Sequence, residues 1–336
     1  MITGDVRRAI ARAIAAEGLP PADPGLRPAG GPGQYASSVA FAFGERRPHV
    51  AARIAARLTQ TDGIARAELT GPGFITITIA PEELAALPER IATAGPACAA
   101  SDALHGVTVP APPAGDPLTA PRWEEARAAL AAQLTARLAA AAGATVTIQE
   151  DMERSVSSTG PDIMTSPVET ELAGTIAFAG ADAVRFSLAR AVPGRAVVID
   201  RQIIARHVLG NPAYAVRYAH ARAASGVRWA AASRAVSLGR QAVPRHRPAD
   251  PGELVLLDAL SWLPERVATA ARRGRPDEFA RYLEELASAT IAALTGAGDP
   301  GTSRAPGTDR LAMARAARTG LAAGLGLLGV GAPDRL

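Results

Sequence analysis

The sequence has no lysine, since all 36 of its basic residues are arginine. Catalysis by a lysine nucleophile or a lysine Schiff base is therefore excluded for these residues. A single cysteine, Cys98, excludes an intramolecular disulfide and a cysteine-rich zinc site. Aromatic residues are only 4%, and no uninterrupted apolar run approaches the roughly 20 residues that span a bilayer. These shortages predict a chain without membrane spans or a signal peptide, and we expect it in the cytoplasm.

The sequence is rich in alanine, and its charge is unevenly distributed between its two halves. A hydrophobic content of 48% with abundant alanine predicts a mainly helical protein with a sizeable core. Residues 1–170 hold 14 Arg against 18 acidic residues, a balance of −4, and residues 171–336 hold 22 Arg against 14, a balance of +8. The basic half would attract phosphate in a salt-dependent way, although such a charge also serves solubility alone.

The segment GNPAYAVRYAHARAASGVRW, residues 210–229, predicts the helix on which the rest of the interpretation depends. Asn211 can cap the helix with its side-chain oxygen, and Pro212 suits the first helical position, where a missing N–H costs nothing.

Aromatic and basic side chains share one face of this predicted helix. Tyr214, Tyr218 and Arg222 follow at i, i+4 and i+8, with Arg217 and His220 beside them. Rings and guanidinium groups of this kind stack on unpaired bases and bind phosphate. The spacing alone also fits an amphipathic helix whose tyrosines are half-buried in a bundle.

Four segments resemble a known domain in the same order. NPAYAVRYAHAR (211–222) is similar to the NPxYxxQYAHAR signature of the anticodon-binding domain of arginyl-tRNA synthetases. GADAVRFSLAR (180–190) resembles the Gly-Ala-Asp-Ala-Leu-Arg segment of that domain, and residues 279–289 and 310–336 resemble its last helices. The resemblance implies an all-helical anticodon-binding bundle of the DALR type over residues 169–336.

The amino-terminal segment predicts a small α+β domain over residues 1–80. Helices are expected at 3–17 and 48–58. In residues 74–79, isoleucines alternate with Phe and Thr, which predicts a strand buried on one side.

The run GQYASSVAF (33–41) and the later GPGFI resemble the amino-terminal additional domain of the same synthetases. In that family the domain contacts the D-loop corner of tRNA, so the resemblance makes Tyr35, Ser38 and Phe41 surface candidates. The alternative is that Tyr35 and Phe41 fill a small core.

The middle of the chain, residues 81–168, resembles a reduced catalytic domain. Residues 107–149 predict one strand, a long helix from about Arg122 and a second strand, a Rossmann-like β-α-β remnant. The family's His-x-Gly-His and Lys-Met-Ser-Lys-Ser elements, which stabilise charge on the α-phosphate of ATP, have no counterpart. SVSSTG (155–160) is a relic of the lysine loop at most, and Glu124 and Glu125 stand where a phosphate would bind. We therefore predict that the chain is not an enzyme.

The sequence thus favours an α+β protein that binds tRNA without aminoacylating it. Partners would be tRNA, including arginine isoacceptors, and a tRNA-processing or modification enzyme, with no DNA, no cofactor and no metal. The alternative is a protein-interaction scaffold that has lost RNA binding. The nine predicted RNA-binding residues are Tyr214, Arg217, Tyr218, His220, Arg222, Arg228, Tyr35, Ser38 and Phe41.

Overall fold

The computed structural model describes residues 3–112, 114–147, 171–236, 251–295 and 308–336. Contacts along the chain form two compact units. The first comprises Met1–Cys98, Arg222–Glu265 and Ala289–Gly320, and the second comprises Ala99–Ala221, Arg266–Ser288 and Leu321–Leu336. The predicted domain boundaries after residues 80 and 168 stay predictions. Residues 155–160, predicted as the relic of the lysine loop, lie outside the described residues.

Helices dominate the described chain, and short strands accompany them. The helices are α1 (Thr3–Ala16), α2 (Arg47–Thr59), α3 (Pro81–Ala85), α4 (Leu87–Ala94), α5 (Trp123–Ala141), α6 (Glu171–Ala179), α7 (Ala181–Arg190), α8 (Arg201–Ile204), α9 (Pro212–Val236), α10 (Pro251–Ser261), α11 (Leu263–Arg273), α12 (Pro276–Thr295) and α13 (Thr308–Leu327). The strands are β1 (Arg27–Pro28), β2 (Gln34–Ser37), β3 (Ile64–Thr70), β4 (Phe74–Ile79), β5 (Thr108–Pro110) and β6 (Thr145–Thr147). The predicted α+β class is confirmed.

An antiparallel sheet of order β1-β2-β4-β3 organises the amino-terminal part of the first unit. On β4, Ile75, Ile77 and Ile79 are buried, and the residues between them are half-buried, as the alternation predicts. Helix α2 packs on β3 and β4, and α1 packs on α2.

In the same unit, this sheet contacts α10 and the residue that follows it. The Tyr35 hydroxyl donates to Ser261 Oγ at 2.8 Å, and its ring centroid lies 5.1 Å from that of Trp262. The Gly33 amide donates to Asp258 Oδ1 at 3.1 Å. The amino-terminal sheet and α10 therefore share one core.

A buried ion pair joins α1 to α11 beside this core. The Arg7 guanidinium donates to both oxygens of Glu265, with Nη2–Oε1 at 2.7 Å and Nε–Oε2 at 3.2 Å. Arg7 also donates to Asp23 Oδ1 at 2.8 Å. The Arg7 and Glu265 side chains are 10% and 6% exposed. The carboxylates raise the pKa of Arg7 even though burial opposes its charge.

The second unit contains the predicted strand-helix-strand element. Strands β5 and β6 pair in parallel, and α5 connects them. Parallel neighbours require such a crossover. Gly143, after α5, has a φ of +92°, and a Cβ there would lie 3.0 Å from the Ser101 carbonyl oxygen, so only glycine fits this turn.

Two breaks shape the helical remainder of the chain. The first separates α6 from α7 at Gly180, which has a φ of +86°. The second separates α10 from α11 at Trp262. Pro264 explains this break, because its ring clashes with the carbonyl of Leu260 and it lacks an N–H to donate.

Among the described residues, no single helix is long and apolar enough to cross a bilayer. Helices α6 and α7 reach that length and composition only when taken together, across a bend of 117°.

Candidate nucleic-acid interface

Helix α9 begins at Pro212, as the sequence predicts, but Asn211 does not cap it with its oxygen. The Asn211 side-chain amide donates to the carbonyl oxygens of Ile204 and Arg206 at 2.7 and 2.8 Å. Its Oδ1 has no hydrogen-bond partner within the described ranges. The predicted cap is therefore wrong: the buried side chain satisfies the carbonyls that follow α8, where a helix end leaves acceptors unpaired.

Three stacked rings line the start of α9. The Tyr214 and Tyr218 centroids are 5.8 Å apart with an interplanar angle of 22°. The His207 ring centroid lies 5.3 Å from that of Tyr214, and the two rings are within 11° of parallel. Both tyrosines are half-buried and His207 is exposed. We call these three residues the ring ladder, and rings in this arrangement offer flat apolar faces to unpaired bases.

His207 was missed as a candidate by sequence reasoning. It precedes Tyr214 by seven residues across a turn, so helical periodicity gives no sign that the two rings meet. Only the path of the chain between α8 and α9, which Asn211 fixes, brings them together. As a lone histidine without a ligand-spaced neighbour, it carried no metal prediction.

Arg217 lies on α9 between the two tyrosines and is half-buried. Its Nη2 is 3.6 Å from Asp182 Oδ2 on α7, within the same unit. Because Asp182 partly neutralises the Arg217 guanidinium, Arg217 contributes less to a phosphate-binding surface than its charge alone suggests.

His220 is placed differently from the prediction. It is 2% exposed, and its Nδ1 lies 2.9 Å from the Pro333 carbonyl oxygen. The expected surface position of His220 is therefore wrong, because the ring packs inward and holds the carboxy-terminal segment of its unit.

Arg222 and Arg228 are both exposed on the later part of α9, as is Trp229, which is 56% exposed. Arg222 and Trp229 border a groove of about 370 Å³ in the first unit. Its remaining lining residues are Ser225, Gly226, Ala230, Leu294, Arg310, Leu311 and Ala314.

Tyr35 is fully buried, so its expected surface position is wrong and the alternative, that it fills a core, is correct. Burial raises the pKa of the Tyr35 hydroxyl to about 12, although its hydrogen bond with Ser261 opposes the shift.

Tyr35→Phe is expected to remove part of the protein's sensitivity to alkali. The folded pKa of Tyr35 lies above the ordinary value of about 10, so its stabilisation is complete below that pH and is lost as pH rises toward 12. We expect the wild type to lose up to about 2 kcal/mol more than the variant between pH 10 and 12. Urea midpoints of both proteins across this range measure the difference, and parallel curves would contradict it.

The other two amino-terminal candidates lie nearer the surface. Ser38 is half-buried, and Phe41 is 36% exposed. The Phe41 ring packs 4.7 Å from that of Phe74, while the Arg47 and Arg27 guanidinium groups lie 5.2 and 4.2 Å from the Phe41 and Phe74 centroids. These four residues form an arginine-aromatic cluster, a surface on which cation–π contacts orient the charges.

A segment near each end of the chain matches a known protein family. Residues 216–336 match the family described as DALR anticodon binding domain. Residues 2–79 match the family described as Arginyl tRNA synthetase N terminal domain. The matched segments contain Tyr218, Arg222 and the arginine-aromatic cluster.

Curated proteins similar to this chain include arginine–tRNA ligases. An arginine–tRNA ligase of Kineococcus radiotolerans is 37% identical over 169 residues, which are 47% of this chain and 29% of the relative. One from Frankia alni is 36% identical over 165 residues, with the same shares. The chain therefore spans less than a third of the length of these relatives.

Among solved structures, Thermus thermophilus arginyl-tRNA synthetase aligns over 100% of both chains with a TM-score of 0.68 and 15% identity. At this identity the likeness shows the fold alone.

The prediction that the chain is not an enzyme is wrong, because its relatives are named arginine–tRNA ligases and its fold matches a synthetase. That prediction rested on two motifs absent from these residues. A motif missing from a chain that spans 29% of its relatives is no sign that the activity is missing. The chain is thus a relative of the arginyl-tRNA synthetases that contains their amino-terminal domain and a DALR anticodon-binding domain.

Proposed function

We propose that the protein binds tRNA through the exposed face of α9. The observation that carries the proposal is the near-parallel, half-buried pair Tyr214 and Tyr218. Tyr218 lies within the segment that matches the anticodon-binding family, and Tyr214 lies two residues before it. Tyrosine rings that are only half-buried keep part of their faces open to unpaired bases.

The charge on the same helix favours RNA binding by these tyrosines over a purely structural role. Arg222 and Arg228 are exposed, and the half of the chain that contains them has a balance of +8. Arginines near a stacking surface attract the phosphates that link the stacked bases. A tyrosine pair serving only to fill a bundle would need no such neighbours.

The arginine-aromatic cluster is a second proposed contact with tRNA. Phe41 is partly exposed, and Arg27 and Arg47 flank the rings, so the cluster offers both stacking and charge. Ser38 remains a proposed neighbour of this contact. Tyr35 and His220 are left out because both are buried.

The step we assign to the chain is tRNA recognition within the arginine–tRNA ligase activity that its relatives' names state. Arginine isoacceptors are the proposed tRNA, and the cytoplasm the proposed location. Arg217 stands where the family's signature has glutamine, and Asp182 partly neutralises its charge. An enzyme that processes or modifies the bound tRNA stays a proposed partner.

The test is retention of total bacterial tRNA by the purified chain, with sequencing of the bound fraction. We expect arginine isoacceptors to be enriched and the affinity to fall by at least tenfold between about 50 and 200 mM salt. The control variant is Arg122→Ala, which removes one positive charge far from α9 in sequence. Arg122 is exposed and pairs with Glu125, so its replacement should keep the wild-type salt dependence.

Absence of tRNA retention at low salt would overturn the proposal and favour the protein-interaction scaffold. Retention without enrichment of arginine isoacceptors would leave RNA binding in place and overturn the assigned specificity.

A further inference from the structure

We propose that His207 is a third stacking platform of the RNA-binding face and takes an unpaired base adjoining those on the tyrosines. This inference rests on the proposed function and adds a residue that lies outside the matched anticodon-binding segment, which starts at residue 216. The recognised chemistry is the flat face of a nucleobase in single-stranded RNA.

The geometry of the ring ladder carries the inference. His207 and Tyr214 are closer to parallel, at 11°, than Tyr214 and Tyr218, at 22°, and the centroid spacings of 5.3 and 5.8 Å are similar. The imidazole thus lies nearly parallel to the ring of Tyr214, beside the start of α9. Its exposure leaves ring surface open to an incoming base.

The turn that presents His207 is fixed before any ligand arrives. Asn211 is 3% exposed, and its amide donates to the carbonyl oxygens of Ile204 and Arg206, the latter next to His207. The Asn211 backbone amide donates to the Val208 carbonyl oxygen at 2.9 Å. Holding both flanks of His207 reduces the conformational entropy lost when a base stacks on its ring.

The surroundings of His207 suit RNA more than a packing role. Arg206, Val208 and Leu209 are all exposed, so the turn is not a covered part of a core. Arg206 precedes His207 in the sequence and can supply charge for the phosphate next to the stacked base. The imidazole also carries a ring N–H that can donate to a base edge or a phosphate, which a phenyl ring lacks.

The experiment compares the full chain with His207→Ala, His207→Phe and the control His105→Ala, another exposed histidine of the same unit. The probe is an RNA hairpin with the anticodon loop of an arginine tRNA, carrying 2-aminopurine at each loop position in turn. We expect His207→Ala to weaken binding roughly five- to tenfold and to restore the fluorescence of one loop position that the wild type quenches by stacking. His207→Phe should keep the quenching and most of the affinity, and His105→Ala should match the wild type.

Each outcome separates this inference from the proposed function. If Tyr218→Ala weakens binding but His207→Ala matches His105→Ala, the inference is overturned and the function stands. If His207→Phe is as weak as His207→Ala, stacking is not the role of the ring, and the inference is again overturned. If the wild type fails to bind the hairpin and tRNA alike, both fall.

Discussion

Tyr218→Ala combined with Arg222→Ala is expected to weaken tRNA binding about a hundredfold. Loss of one base-stacking ring costs roughly 1–3 kcal/mol of binding free energy. Loss of an arginine contact to RNA costs an additional, smaller amount. Because 1.4 kcal/mol corresponds to a factor of ten, the two together approach two orders of magnitude. Filter binding with an arginine tRNA at low salt measures the effect, with circular dichroism to verify that α9 keeps its helix.

Matched variants separate stacking from charge in this experiment. Tyr218→Phe keeps the ring and should bind almost as the wild type does. Arg122→Ala removes one positive charge from the exposed residue just before α5 and should change affinity little. The salt dependence of the double variant should be shallower, since one phosphate contact is lost. A double variant that binds like the wild type would mean that this face of α9 does not contact tRNA.

Glu265→Ala is expected to lower the free energy of unfolding by about 3 kcal/mol. The change leaves the Arg7 guanidinium, 10% exposed, without the carboxylate that neutralises it. Breaking a buried pair by removing one partner costs roughly 3–5 kcal/mol because the remaining charge stays desolvated. Asp23 keeps its contact with Arg7 at 2.8 Å, which places the effect at the lower end of that range. Urea unfolding followed by circular dichroism measures it.

The control is Glu68→Ala, since Glu68 pairs with Arg66 at 2.7 Å on the surface, where both side chains are largely exposed. Its effect should stay below about 1 kcal/mol. Arg7→Met combined with Glu265→Met should recover most of the lost stability, because an apolar pair of similar volume avoids the desolvation cost. Equal losses for Glu265→Ala and Glu68→Ala would contradict the view that burial makes this pair important.

Local features of the fold follow from sequence patterns. The period of two in β4 and the strand-helix-strand order of residues 107–149 are properties of short segments, and both match the structure. The broken helix at Trp262 shows the limit of such patterns. Apolar periodicity alone runs through this segment, and the break is signalled only by Pro264, whose ring forbids the hydrogen bond that a continuous helix needs.

The candidate site was only partly predictable, because exposure depends on residues distant in sequence. Tyr35 and His220 match their motifs, yet each finds a partner, Ser261 or Pro333, more than 100 positions away. His207 matches no motif and joins the ring ladder only through the fold of the turn before α9. A motif therefore identifies a helix face more reliably than it identifies which side chains reach the solvent.

The contacts between the amino-terminal sheet and α10 also affect how this protein is made. Thr3 and Arg7 bind partners 258 positions later, and Gly33 and Tyr35 bind partners 225 and 226 positions later. At about 5–20 residues per second, a ribosome needs roughly 10–50 s to add that length. During this interval the amino-terminal residues lack their partners on α10 and at Glu265. The Tyr35 hydroxyl and the Arg7 guanidinium therefore face water. The nascent sheet therefore stays without these buried partners until α10 and Glu265 have been synthesised.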